Sequence, residues 1–156
     1  MVKIERKTIK EKGVGMARHN TYKDVLDQYS KAMENGFYLE AITLMESIIG
    51  DRLESIANQI SKSSEYSYET LGKLITAVKK FEISTEMPNI IEKIDVWRDC
   101  RNAALHGMAK FDKVDFEKPF NKRYAELKPI AQNGKKIFRE LDKEIRNYRK
   151  LKINQQ

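Results

Sequence analysis

The feature that most constrains this chain is a run of apolar residues that recur every three or four positions between residues 42 and 60. Because an α-helix turns once every 3.6 residues, side chains at this spacing share one face of a helix. No stretch of the chain shows the sustained alternation of apolar and polar residues that is typical of a half-buried strand. The sequence therefore predicts an all-α protein. The residues of the run are Ile42, Met45, Ile49, Leu53, Ile56 and Ile60.

Turn and capping signals divide the chain into about five helices with short connections. Gly36 ends the first helix and Gly107 ends the fourth, because glycine is favoured just past a helix end. Pro88 suits the first turn of the fourth helix, and we expect Pro129 and Gly134 to interrupt the start of the last one. Short connections favour an up-and-down bundle. The predicted helices span residues 20–35, 37–60, 69–81, 88–107 and 121–151.

The 156 residues suffice for about one domain, and their charge is unevenly distributed. Residues 1–20, which lack an apolar stripe, carry six basic and two acidic side chains and are predicted to form a basic N-terminal arm. Residues 21–156 form the predicted helical bundle, whose last 36 residues carry eleven basic and four acidic side chains. A basic flank attracts polyanions such as nucleic acids. The alternative is that lysine and arginine keep long helices soluble.

The composition excludes several other classes of protein. The single cysteine, Cys100, cannot form an internal disulfide, and no histidine or cysteine cluster has the spacing of zinc ligands. We therefore expect no metal and no other cofactor. The segment 1–6 lacks the apolar core of a signal peptide, and no window approaches the roughly 20 apolar residues of a membrane-spanning helix. We expect a cytoplasmic protein that does not enter a membrane.

An arginine interrupts the apolar seam of the fourth helix. Arg101 occupies a seam position, and an unpaired buried guanidinium costs several kcal/mol. It must reach solvent, face an anion or pair with an acid on a neighbouring helix, for which Glu46, Asp51 and Glu54 are candidates. The apolar residues of the seam are Ile90, Ile94, Trp97, Ala104 and Met108.

A polar stripe runs beside this seam and ends in a histidine. Asp95, Asp99, Asn102 and His106 are spaced by 4, 3 and 4 positions. Arg101 and His106 are separated by about 140° around the helix, so they do not stack directly, but a long arginine reaches the groove that the imidazole borders. The alternative for His106 is that it caps the carbonyls of its own helix.

The segment 101–106, Arg-Asn-Ala-Ala-Leu-His, resembles the signature of the HEPN superfamily. In that signature an arginine, often followed by a polar residue, precedes a histidine by four to six intervening residues. The segment lies near the end of a long helix in an all-α bundle, as in the family. The second helix, 38–47, also resembles its counterpart, which often carries an acidic residue near the motif. The resemblance covers residues 21–108 and, loosely, the last helix.

The resemblance implies a metal-independent ribonuclease. His106 would act as general base or acid, and Arg101 would stabilise the extra negative charge on the phosphorus centre. Asn102 would orient the imidazole or bind phosphate, with Glu46 and Asp99 as supporting acidic residues. Because one chain supplies one motif histidine, the resemblance also implies a C2 homodimer in which two motif helices share a cleft.

Basic residues of the last helix could guide the RNA backbone. Tyr124 and Tyr148 could stack on bases, although their helical spacing favours core packing. In the toxin branch that a nucleotidyltransferase antitoxin controls, a tyrosine follows the motif histidine by three residues, a position that Ala109 occupies here. The resemblance therefore does not support tyrosine-directed inhibition, and a standalone nuclease, a toxin with another antitoxin and a subunit of a defence system all stay open. The candidate RNA-guiding residues are Lys135, Lys136, Arg139, Arg146, Arg149 and Lys150.

Two other interpretations stay open from the sequence. The first is a non-catalytic helical module that binds RNA, a nucleotide or a protein partner in the same groove. The second is a plain structural bundle in which Arg101 forms an ion pair. His19, the other histidine of the chain, is expected to lie in a surface loop.

Overall fold

The computed structural model describes residues 14–108 and 118–155, which contain six α-helices and no strand. The predicted all-α bundle is confirmed, with the last two helices together replacing the predicted final helix. Residues 1–13 of the predicted arm and 109–117 of the connector, which include Ala109, lie outside the described residues. The helices are α1 (Val14–Glu34), α2 (Tyr38–Ser61), α3 (Leu71–Val78), α4 (Met87–Gly107), α5 (Phe120–Ala125) and α6 (Leu127–Ile153).

The four long helices alternate in direction. Lys93 of α4 contacts Glu140, whereas Trp97, one turn later, contacts Ile130, so α4 and α6 are antiparallel. A tight turn at Gly36, whose φ is 73°, reverses the chain between α1 and α2. As a result α1 and α4 run one way, and α2 and α6 run the other way. The contacts of α1 with α6 show the same reversal: Tyr29 with Ala131, and Tyr22 with Phe138.

The core lies where α2, α4 and α6 meet, and it contains the apolar faces that the spacing predicts. Every residue of the predicted α2 face is buried except the partly buried Ile60. Removing these side chains from water stabilises the fold by roughly 1.5–3 kcal/mol for each large aliphatic residue. The predicted seam of α4 is buried as far as Trp97 and becomes partly exposed from Arg101 onward.

Helix α1 begins at Val14, earlier than the start near residue 20 that the sequence predicts. Residues 14–20 are helical, because Arg18 anchors them to α2. Its Nη1 donates to Ser55 Oγ at 3.0 Å, and its Nε lies 3.0 Å from Asp51 Oδ2. Polar contacts of this kind leave no apolar periodicity in the sequence. His19 is therefore an exposed helical residue and not part of a loop.

The predicted interruption of the last helix falls elsewhere in the structure. The break lies at Glu126, between α5 and α6. Pro129 lies in the first turn of α6, where a backbone N–H has no intrahelical partner to lose. Gly134 continues the helix and makes room for Trp97, since a Cβ at this glycine would lie 2.9 Å from Trp97 Cζ2. The indole Nε1 donates to the Ile130 carbonyl at 2.8 Å.

Candidate functional site

Arg101 is held across two helices by an ion pair. Its Nη2 contacts Glu46 Oε1 of α2. Of the three acids that the sequence offers as partners, the structure therefore pairs it with Glu46. The Arg101 side chain is 14% exposed and that of Glu46 is 34% exposed. The guanidinium is thus largely removed from water, while the carboxylate still borders solvent.

Helix α4, which carries the motif, contains the buried polar atoms that lack hydrogen bonds in the described part of the chain. Within the described residues, Arg98 Nε and Arg101 Nε are buried without a hydrogen bond, and Asp95 Oδ1 is buried with only the ion-pair contact of Arg98 Nη2. All three residues belong to α4, and each follows the previous one by three positions. Leaving such an atom unsatisfied costs about 1–3 kcal/mol, and native proteins contain few of them. The unsatisfied atoms therefore mark this face of α4 as a candidate site.

Arg98 also belongs to this face, although it lies outside the apolar seam and the polar stripe that the sequence shows. Its Nη2 lies 3.0 Å from Asp95 Oδ1 and 3.1 Å from Asp99 Oδ1. Its guanidinium packs so closely on α3 that a Cβ at Gly72 would lie 2.6 Å from Arg98 Nη1. The hydrogen bond from Lys79, aided by the charge of Arg98, lowers the pKa of Asp95 although partial burial opposes this shift. A glycine inside the α3 sequence was the available signal of this contact.

His106 lies in the last turn of α4 and is exposed. The five-residue separation places it about 7.5 Å along the helix from Arg101 and about 140° around it. No hydrogen bond connects these two described residues, and Asn102 between them is partly exposed. Asp99, predicted as a supporting acid, contacts Arg98. The structure thus brings Glu46 to Arg101, and it leaves His106 open to solvent at the helix end.

Arg123 of α5 fixes the end of the motif helix, a role that the sequence did not reveal. Its Nη1 donates to the carbonyl oxygens of Gly107 at 3.1 Å and Met108 at 3.4 Å. Its Nε donates to the Lys118 carbonyl at 3.2 Å. The last carbonyls of a helix lack intrahelical partners, and a basic side chain is favourable there. Arg123 therefore steadies the turn that carries His106.

Three of the six candidate RNA-guiding residues line one groove. A cavity of about 580 Å³ between α1 and α6 is bordered by Lys135, Lys136 and Arg139. Lys135 Nζ lies 4.9 Å from the centre of the Tyr29 ring. Burial, together with the charge of Arg139, lowers the pKa of Lys135. Glu34 and Glu140 also line the groove, so two carboxylates partly balance its three basic side chains.

The other three candidates lie nearer the end of α6 and differ in their contacts. Arg146 pairs with Asp142 at 2.9 Å, and Lys150 is exposed. Arg149 is partly buried and donates from Nη2 to Ser55 Oγ at 2.8 Å. The six candidates therefore do not form one uniform surface.

The two tyrosines considered for base stacking pack against the core, as their spacing predicts. The Tyr124 hydroxyl accepts a hydrogen bond from the Tyr38 backbone N–H at 3.1 Å, and the two rings stack with centres 5.6 Å apart. Tyr148 is partly buried, and Lys152 Nζ lies 5.6 Å from the centre of its ring. Both tyrosines therefore contribute to the packing of the bundle.

An acidic cleft of about 550 Å³ lies between α1, α2 and the start of α3. Glu46 borders this cleft, so the partner of Arg101 faces both the motif helix and the cleft. Glu54 is buried in its wall and accepts a hydrogen bond from the Tyr68 backbone N–H at 3.0 Å. The other charged residues of the wall are Arg18, Asp51 and Glu69.

Within residues 14–108 and 118–155, no three histidine, cysteine, aspartate or glutamate side chains are grouped so that they could hold a metal ion. None of the helices described there combines the length and the apolar character needed to span a lipid bilayer. Cys100 is exposed and unpaired. Comparisons of the chain with models of protein families, with curated proteins and with solved structures found no match.

Proposed function

We propose that this protein is a cytoplasmic, metal-independent RNA endonuclease of HEPN type, whose active site is completed by a homodimer. The observation that carries the proposal is the state of Arg101. Its side chain is 14% exposed, it is held through Nη2 by Glu46, and its Nε is buried without a hydrogen-bond acceptor. A guanidinium left in this state favours an anion as its next partner, and a phosphate group in RNA is such an anion.

The proposed reaction uses the 2′-hydroxyl of RNA as nucleophile. His106 removes the 2′-hydroxyl proton, and the oxygen attacks the adjacent phosphorus. The bond to the 5′-oxygen then breaks, and a protonated imidazole supplies the proton of the leaving group. The products are a 2′,3′-cyclic phosphate and a free 5′-hydroxyl. Arg101 stabilises the additional charge on the phosphoryl oxygens, with Glu46 as its positioning residue and Asn102 as a further phosphate or imidazole contact.

A second copy of the chain supplies the second proton-transfer group in this proposal. One chain holds a single histidine at the motif, exposed at the end of α4. Pairing two α4 helices about a twofold axis places two histidines and two arginines around one cleft. The restraint of such an activity by an antitoxin or a defence-system partner belongs to the same proposal.

The test is incubation of the purified full chain with transfer RNA and total RNA in EDTA. We expect cleavage that leaves 2′,3′-cyclic phosphate ends. His106→Ala and Arg101→Ala are expected to lose it by a factor of about 100 or more, as for the removal of a group that stabilises the transition state. His19→Ala is the matched control, because it removes the other histidine from an exposed helical position.

Two results would contradict the proposal. Cleavage that survives His106→Ala would indicate a contaminating nuclease. A protein that stays monomeric at the concentration at which it cleaves RNA would exclude the shared cleft, and analytical ultracentrifugation measures this directly.

The second candidate function is RNA binding without cleavage. The groove of Lys135, Lys136 and Arg139 favours it, because this groove needs neither His106 nor a dimer. In this case the wild-type protein retains intact RNA, and its affinity falls steeply as salt is raised.

A further inference from the structure

Two arginines from different helices donate to one buried serine, and the charge of a third arginine acts on one of them. Arg18 of α1 donates from Nη1 to Ser55 Oγ at 3.0 Å, and Arg149 of α6 donates from Nη2 to the same oxygen at 2.8 Å. Ser55 is 4% exposed. Arg52 of α2 is adjacent, with its guanidinium carbon 5.0 Å from the centre of the Tyr22 ring. We call Arg18, Arg52, Arg149 and Ser55 the arginine cluster.

The arginine cluster holds more positive charge than its carboxylates balance. Arg18 is paired with Asp51, and Arg52 is paired with Asp142. Asp142 is also the partner of an arginine one turn further on, Arg146. No carboxylate of the described residues lies within ion-pair distance of Arg149, and Asp142, whose charge acts on it from further away, is shared with Arg52 and Arg146.

Among the residues that the structure describes, Arg149 is bound only by neutral oxygens. Its Nε donates to Gln59 Oε1 at 2.8 Å, and its Nη2 donates to Ser55 Oγ. These two contacts involve Nε and Nη2 of the guanidinium, whereas Nη1, the third nitrogen, takes part in neither of them. Burial, together with the charges of Arg52 and Arg18, lowers the pKa of Arg149 to about 10. Proteins usually compensate a largely buried cation with an anion.

We propose that Arg149 and Arg18 form a binding site for a phosphoryl group. A phosphate oxyanion supplies the missing negative charge, and its oxygens match the forked N–H donors of guanidinium groups. The Arg18 side chain is 19% exposed and Arg149 is partly buried, so both side chains keep some contact with solvent. Ser55 and Gln59 hold the Arg149 guanidinium in place before the anion arrives, which reduces the entropy cost of binding.

Arg18 borders the same cleft as Glu46, but the proposed site lies further along α2 and does not depend on the proposed ribonuclease activity. Ser55 lies nine residues beyond Glu46, about 13 Å further along α2. Arg18 and Arg149 belong to α1 and α6, whereas the motif belongs to α4. Free phosphate, a mononucleotide and the RNA backbone all present the same phosphoryl chemistry, and the experiment distinguishes these three sources.

The first measurement is thermal unfolding of the full chain in increasing sodium phosphate, with sodium chloride at matched ionic strength as reference. We expect a saturable rise of Tm in phosphate beyond that in chloride, as for a ligand that binds the native state. Arg149→Gln is expected to weaken the phosphate response about tenfold or more, because it removes a charged donor. Lys143→Gln is the matched control, since it removes an exposed positive charge from the same helix and is expected to respond like the wild type.

A second measurement keeps the test informative if Arg149→Gln unfolds. In nitrogen–proton spectra of the wild-type protein, the Nε–H signals of Arg149 and Arg18 are expected to shift saturably with phosphate, and that of Arg123 is expected to stay fixed. Equal effects of phosphate and chloride on Tm would overturn the proposal. An equal loss of response in Arg149→Gln and Lys143→Gln would overturn it as well.

Competition identifies the source of the phosphoryl group. The competitors are adenosine monophosphate and a 2′-O-methylated RNA trinucleotide with or without a 5′-phosphate, which a 2′-hydroxyl-dependent nuclease cannot cleave. Competition by both trinucleotides indicates backbone phosphates. Competition only by the phosphorylated trinucleotide and the mononucleotide indicates a terminal phosphate. If inorganic phosphate alone binds, the site takes the free ion.

Discussion

Arg52 of α2 and Arg101 of α4 are both largely removed from water, but their surroundings differ. Arg52 is 6% exposed, and both its Nε and its Nη2 donate to Asp142 of α6. Its guanidinium also lies over the Tyr22 ring. Arg101, on the side of α4, has one ion-pair partner, Glu46, and a buried Nε without an acceptor.

The difference separates a structural arginine from a candidate functional one. Where a buried charge is fully paired and hydrogen-bonded, the protein gains rigidity and has no capacity left for a ligand. Burial and the neighbouring Asp51 raise the pKa of Tyr22, so its hydroxyl stays protonated and donates to that carboxylate. An incompletely paired charge near a surface is costly unless a ligand completes it, and such groups concentrate at functional sites.

The sharpest test of the structural side is Arg52→Ala, for which we expect the largest loss of stability. Removing one partner leaves Asp142 partly buried with only Arg146 beside it, and breaking a buried pair costs about 3–5 kcal/mol. Urea unfolding of the variant and the wild type measures the difference. RNA cleavage per folded molecule is expected to stay at the wild-type level. If folded Arg52→Ala protein lost cleavage, Arg52 would not be a purely structural arginine, and the proposed difference between Arg52 and Arg101 would be wrong.

On the functional side, Arg101→Ala is expected to cost less stability and more activity. Its partner Glu46 is 34% exposed and regains water when the pair is broken. We expect a loss of about 1–2 kcal/mol in urea unfolding with at least about a 100-fold loss of cleavage. Glu46→Gln is the companion variant, because it releases Arg101 without removing it. A stability loss as large as that of Arg52→Ala would assign Arg101 to the structural class.

Arg123→Ala tests whether the end of the motif helix needs its contacts from α5. The variant frees the carbonyls of Gly107, Met108 and Lys118, and solvent replaces part of each bond, so we expect about 1–2 kcal/mol. Amide hydrogen exchange is expected to accelerate in the last turn of α4 and to stay unchanged in α2. Arg123→Lys should restore part of the protection, since lysine also interacts favourably with a helix C-terminus. An equal acceleration of exchange in α4 and α2 would show that Arg123 stabilises the whole bundle and not the end of α4 in particular.

The smallest expected effect is a pH dependence at Asp95. Lys79 and Arg98 lower the pKa of its carboxyl group, so the ionised form favours the folded state. This contribution is fully present above the unfolded pKa of about 4, and it is lost as the pH falls through the lower folded pKa. The stability advantage of the wild type over Asp95→Asn is therefore expected to shrink below about pH 4. An advantage independent of pH would show that the carboxyl charge is not the cause.

The sequence predicts the helices that bury a regular apolar face and misses contacts that polar or small residues make. The face of α2 and the ends of α4 follow from spacing, Pro88 and Gly107, because burial and capping leave local patterns. The start of α1 depends on the contact of Arg18 with Asp51, which lies 33 residues away in the sequence. Glycine disfavours helices, so Gly134 predicts an interruption from the sequence. Its actual role is recognised only when the structure shows that Trp97 packs against it.

The sequence predicts only part of the candidate site, because contacts between distant residues leave no local pattern. The sequence indicates that Arg101 needs a partner, and it names three acids without ranking them. Only the packing of α4 on α2 selects Glu46. Arg98 and Arg123 were missed, because Arg98 lies outside the apolar seam and pairs with acids of its own helix, and the partners of Arg123 are backbone carbonyls, which leave no pattern in the sequence.

The contact between Trp97 and Gly134 also makes the protein report on its own motif helix. Trp97 is the only tryptophan of the chain and is 1% exposed, with its indole N–H bound to a carbonyl of α6. The glycine sets the distance between α4 and α6, so a small displacement of α4 changes the surroundings of the indole directly. Intrinsic tryptophan fluorescence therefore reports on the position of the helix that carries Arg101 and His106. It needs no added label, and no second tryptophan contributes to the signal.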